Sequence, residues 1–243
     1  MQTPRTGGGR MDHERRREPA INLPPVVVGA LAVLFAIFLV QEFLLSYRTN
    51  VMIWQEFGFL PVRYAHSLSQ QGWAWLWSPL TYSLLHGGWT HIVFNAIWLA
   101  IFGAPVARRI GAVRFLILWV TSAAASAFFF AATDWGAVTV LIGASGVVSA
   151  YMGAACRFVF AGGRFLPQAH LGPRLAIVDV FRDRTARAFV LVWLAGNLLI
   201  AVGVSFAGVS AGEIAWQAHI GGFLFGFLTF PLFDVKRPRT LVF

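Results

Sequence analysis

Long apolar runs alternate along this chain with short polar stretches that are mostly basic. Residues 1–25 are polar, with Arg15-Arg16-Arg17 and several Pro and Gly, a pattern that predicts a disordered basic tail. From Val26 to Leu45 the positions are apolar apart from Gln41 and Glu42. That run exceeds the ~7–15-residue core of a signal peptide and has no small-residue cleavage site, so it reads as a retained spanning helix. Crossing a bilayer takes about 20 mostly apolar residues. Six segments approach that length, at approximately 26–46, 90–107, 113–133, 146–161, 188–207 and 216–234, and the fourth is short. The pattern predicts an all-α membrane protein with a six-helix bundle over 26–234 and a short tail over 235–243.

Composition agrees with that reading. The 243 residues are 58% hydrophobic and 12% charged, about half the charge of a soluble domain. Ten Trp and 23 Phe suit lipid contact and interfacial belts. A net charge of +9 could suggest nucleic acid, but the charges sit between apolar runs and no nucleic-acid partner is expected. Six helices would put the stretches holding 17 of the 19 Lys and Arg on one side, leaving Arg48 and Arg63 on the other. The positive-inside rule then places both termini in the cytoplasm. The outer segment 47–80 carries Trp73, Trp75 and Trp77, read first as an interfacial anchor. The single cysteine, Cys156, excludes an intrachain disulfide. No internal repeat argues for a transporter built from inverted halves.

Polar side chains at membrane depth need a partner or a job, and three clusters have them. In the first, His91 and Asn95 lie four apart on one helix face. Interhelical hydrogen bonding is the simplest account. A zinc set of His86, His91 and His219 is a second, but His86 and His91 are five apart, roughly 140° around a regular helix, and cannot both point inward from one. The second cluster is Gly143-Ala144-Ser145-Gly146, opening the short fourth helix. Alone, Ser145 reads as a helix cap. The same position places free backbone N–H groups beside the hydroxyl, as an oxyanion would require. Ser145, Ser149 and Gly153 then recur every four residues as a stripe of small residues. The third cluster is Ala218-His219-Ile220-Gly221-Gly222, with Gly226 one turn further. His219, Gly222 and Gly226 share a face. Packing the two small-residue stripes together would bring Ser145 to His219, a nucleophile to a base. Asp134 and Glu213 belong to loops, so a dyad without an orienting carboxylate is expected.

The order His-x4-His-x3-Asn at His86, His91 and Asn95, Gly-x-Ser-Gly at Gly143–Gly146, and Ala-His-x2-Gly-x3-Gly at Ala218–Gly226 resembles that of rhomboid intramembrane serine proteases over roughly residues 78–230. The resemblance implies a six-helix bundle of rhomboid type with Ser145 as nucleophile and His219 as base. His91 and Asn95 would stabilise the oxyanion with the Ser145 backbone N–H. His86 would support the loop–helix junction, and Gly143, Gly146, Gly222 and Gly226 would be packing glycines. It also explains the short fourth helix, whose first residue would lie below the membrane surface under a cavity open to water, behind a loop over 134–144. Two positions depart from the family: Ser78 follows Trp77 where Arg is usual, and Ser149 stands four after the nucleophile where Tyr is frequent. The implied activity is peptide-bond hydrolysis in or near the transmembrane segment of a protein substrate, without a cofactor, in a lipid bilayer and by analogy a bacterial inner membrane. The alternatives are a rhomboid-like pseudoprotease that binds membrane proteins without cutting them and, more weakly, a transporter.

Overall fold

A computed structural model describes residues 22–161, 169–204 and 214–235. Most of the two tails, part of the basic stretch 161–187, the end of the fifth apolar segment and Glu213 lie outside the described residues. The fold is a helical membrane bundle. Among the described residues there is no strand, only an antiparallel bridge between Phe59 and Leu141.

Helix α1 (Pro25–Phe43) leads into the segment expected to lie outside, which holds α2 (Tyr47–Phe57) and α3 (Ala74–Thr81). Helix α4 spans Trp89–Ile110 and α5 spans Ala112–Thr133. The short α6 (Ser145–Cys156), α7 (Ile177–Arg182), α8 (Arg184–Ala201) and α9 (Trp216–Phe233) complete the bundle. Helices α1, α4, α5 and α8 are each long and apolar enough to cross a membrane unaided. Helix α9 has 18 residues, but its first turns carry Gln217 and His219. Helix α6 has 12 residues and at 1.5 Å per residue rises only about 18 Å. Helix α8 starts at Arg184, ahead of the expected 188, because the Asp183 side chain accepts from the Thr185 and Ala186 backbone N–H groups at 2.9 and 2.8 Å, a cap the apolar pattern does not display.

Helix α6 is the axis. All its residues from Gly146 to Cys156 are buried, whereas α1 and α8 turn rows of Val, Leu and Phe outward, as lipid-facing helices do. Three helices contain proline beyond their first turn, where it removes a donor and frees the carbonyl four residues back. Each case is resolved differently. In α4 a π-helical turn at Leu99–Gly103 precedes Pro105. In α3 the carbonyl of Trp75, freed by Pro79, accepts from the Tyr64 hydroxyl at 2.6 Å. In α9 the carbonyl of Phe227, freed by Pro231, accepts from the Arg157 guanidinium at 2.6 Å. Arg157 is thus a buried cation with a structural use, and its Nε also donates to the Leu175 carbonyl.

Arg108, Arg109 and Arg174 gather at one end. Arg109 makes a two-point bond with the Asp234 carboxylate at 2.9 Å and donates to the carbonyls of His170 and Gly172. Arg108 donates to the Asn22 carbonyl, and Arg174 lies 3.7 Å from Asp234. The foot of α1, the turn after α4, the segment after α6 and the end of α9 therefore share an end. Arg63 belongs to the outer segment, where its guanidinium donates to the Gly58 and Gln55 carbonyls at the end of α2.

Candidate active site

The site is built around the first turn of α6. Its approach segment is pinned from outside: Phe59 and Leu141 exchange backbone bonds at 3.0 and 2.8 Å, Val62 N–H donates to Ala137, and Gly143 N–H donates to the Tyr82 carbonyl at 2.9 Å. Gly143 has φ +114°, a conformation open to glycine. A Cβ there would also lie 2.4 Å from His91 Nε2, so the His91 ring rests directly on the turn before Ser145.

Helices α6 and α9 meet backbone to backbone. A Cβ on Gly222 would fall 2.0 Å from the Gly146 carbonyl oxygen, one on Gly226 1.9 Å from that of Ala150, and one on Gly153 2.2 Å from that of Phe223. The contact stripe on α6 is therefore Gly146, Ala150 and Gly153, and the expected line through Ser145, Ser149 and Gly153 is corrected at its first two positions. Backbones can touch only where side chains are smallest, and two glycines seven residues apart outcompete serines. The rotation leaves Ser145, the first residue of α6, on the flank of the contact and half-buried. His219 lies one turn before Gly222 on α9 and is likewise half-buried. The two side chains make no direct hydrogen bond.

The histidine cluster departs from one expectation. His86 and His91 converge, with ring centroids 5.0 Å apart at 69°. One regular helix would separate them, but α4 begins at Trp89 and His86 sits in the turn before it, free to fold back. His86 is fully buried and acts as a hub: its Nε2 accepts from Asn95 Nδ2 at 3.1 Å and from the Ala144 backbone N–H at 3.5 Å. It ties α4 to the residue preceding Ser145. Among the described residues no three His, Cys, Asp or Glu side chains are grouped to hold a metal ion.

Around His219 the structure adds a residue that sequence reasoning overlooked. His219 Nδ1 lies 3.0 Å from the Oδ1 of Asn197 on α8. The signal was available, since Asn197 interrupts the apolar run Leu191–Ile200, where a strongly polar group is costly. Tyr151 is buried against α5, stacked on Phe115 at 4.4 Å and bonded to its carbonyl at 2.9 Å. It does not replace the tyrosine missing at Ser149. Asp134 accepts from Gln217 Nε2 at 2.9 Å, tying the end of α5 to the start of α9.

Residues 74–234 match the family model described as Rhomboid domain. The chain is 28% identical over 217 residues to a protein named Rhomboid protease GlpG from Pectobacterium atrosepticum, covering 88% of this chain and 66% of that relative. Proteins of the same name from Klebsiella pneumoniae and Yersinia pestis are 28% and 26% identical, over 84% of this chain and 62% and 61% of theirs. The chain thus spans less than two thirds of these relatives' length.

Proposed function

The chain belongs to the rhomboid family, and from that premise we propose that it is an intramembrane serine endopeptidase in which Ser145 is the nucleophile and His219 the general base. The observation that carries the reading is the contact of Gly222 on the Gly146 carbonyl. It locks α6 to α9 at the residue after the serine and one turn from the histidine. In the reaction His219 Nε2 accepts the Ser145 hydroxyl proton as Oγ attacks the carbonyl carbon of the scissile bond. The resulting oxyanion receives the Ser145 backbone N–H, the His91 ring and the second N–H of Asn95, whose first is held by His86. The imidazolium then protonates the leaving amine, and water releases the acyl group by the same route reversed.

The substrate is a membrane protein whose helix unwinds locally at the cleavage site, which favours small or helix-breaking residues there. Both termini lie in the cytoplasm of a bacterium, with the site opening on the outer side of the inner membrane. The gathering of Arg108, Arg109 and Arg174 at one end supports this orientation.

The test is labelling of the purified chain in mild detergent with a fluorophosphonate. Wild type labels, and Ser145→Ala and His219→Ala do not, while EDTA has no effect. A well-folded wild type that stays unlabelled would sink the proposal in favour of a non-cleaving binder of membrane proteins.

A further inference from the structure

We propose that Asn197 is the third member of the catalytic group, a positioning residue whose amide holds the His219 imidazole in the tautomer that leaves Nε2 free to accept the serine proton. The proposal rests on the Ser145–His219 reading above.

Helix α8 buries only Ala186, Val190 and Asn197, and presents Leu191, Val192, Leu194, Leu198 and Leu199 outward. Asn197 is thus the polar exception on the buried face of an otherwise lipid-facing helix. Its orientation follows from its partners. The Trp193 carbonyl, 2.9 Å from the amide nitrogen, can only accept, so that nitrogen is Nδ2 and the other atom is the acceptor Oδ1. Oδ1 lies 3.0 Å from His219 Nδ1, and a carbonyl oxygen can bond there only to Nδ1–H. A neutral imidazole carries one proton, so Nε2 keeps its lone pair. Trp193, one turn before Asn197, stacks on Phe223 of α9 at 4.3 Å and holds the two helices in register at this height. Among the described residues the ionisable group that interacts with His219 is His91.

An amide in this place does part of what a carboxylate does in a serine triad. It selects the tautomer and directs a carbonyl dipole at the imidazolium once it forms, without a full negative charge in the membrane. It also supplies an anchor for His219 in a chain whose Ser149 cannot stack on it.

Two measurements test this on the full chain in detergent. The first is the tautomer of His219 in wild type by histidine 15N NMR, assigned by the loss of its signals in His219→Gln. The expected state has Nδ1 protonated; an Nε2–H tautomer overturns the proposal whatever the activity. The second is the rate of fluorophosphonate labelling against pH. Asn197→Leu, close in volume, should label about 10- to 100-fold more slowly, a fraction of what general-base catalysis contributes, with its thermal midpoint little changed. Asn197→Asp keeps an acceptor at Nδ1, so it should restore labelling and move the acid limb of the pH profile upward, because a carboxylate favours the imidazolium. Labelling of Asn197→Leu at the wild-type rate, or an unmoved acid limb in Asn197→Asp, overturns the proposal while leaving Ser145 and His219 in place. An unlabelled, folded wild type overturns both readings together.

Discussion

At the scale of single residues, His86 carries more than its place before a helix suggests. Its Nε2 is the acceptor for both the Asn95 amide and the Ala144 N–H. Replacing it with Phe would keep the bulk and leave two buried donors without that partner, at about 1–3 kcal/mol each for a truly unsatisfied group. His86→Phe is therefore expected to lower the thermal midpoint and also to slow fluorophosphonate labelling, because Asn95 loses the bond that aims it. A variant that melts earlier but labels at the wild-type rate would assign His86 to structure alone. The motif positions of Ser145, His86, His91, Asn95 and His219 were legible as residues. The bond from His219 to Asn197 was not, because the partners are 22 positions apart and no local spacing relates them.

Among the elements, the α6–α9 contact is the one without slack. Alanine at Gly222 or Gly226 would drive a methyl group against backbone carbonyls, which cannot step aside as a side-chain tip can. Overpacking a close-packed interior costs about 1–3 kcal/mol, so both variants should melt earlier and label more slowly as His219 shifts. Gly196 on α8 has nothing within 4 Å of its would-be Cβ; Gly196→Ala should leave the midpoint level or raise it slightly, since alanine is the better helix former. Proline adds a second test. Arg157 serves the carbonyl that Pro231 frees, so Arg157→Met should destabilise the chain, and Pro231→Ala should soften that loss by returning an N–H to Phe227. Melting curves of the two single variants and the double variant give the coupling directly. Additive losses would show that the guanidinium is held for another reason.

For the whole molecule, the basic end is where four stretches of chain meet. His170 lies there beside Arg108 and Arg109; burial, with the charges of these two arginines, holds its imidazole below the ordinary histidine value. A histidine whose folded pKa is depressed resists protonation in the native state, so stability is full above about pH 6.5 and falls as pH drops below it. Wild type should lose more of its thermal midpoint between pH 7.5 and 5.5 than His170→Gln does; equal losses would remove His170 from the account. Orientation is tested separately. In a Cys156→Ser background, a cysteine placed at Ser69 should react with an impermeant maleimide from outside the cell and one at Gly172 should not.

Periodicity and charge were enough to read a helical membrane chain with long apolar helices. Those properties follow from what each residue costs in hydrocarbon, which depends on the residue and its neighbours along the chain. The stripe on α6 illustrates the limit. Ser145, Ser149 and Gly153 are small and regularly spaced, but the contact runs through Gly146, Ala150 and Gly153, chosen by which backbone atoms of another helix come closest. The bond from the Ala144 N–H to His86, the use of Arg157 and Tyr64 to satisfy carbonyls freed by proline, and the amide of Asn197 on His219 are of the same kind. Each joins groups whose separation along the chain says nothing of their distance in space, and only the packed helices brought them within bonding range.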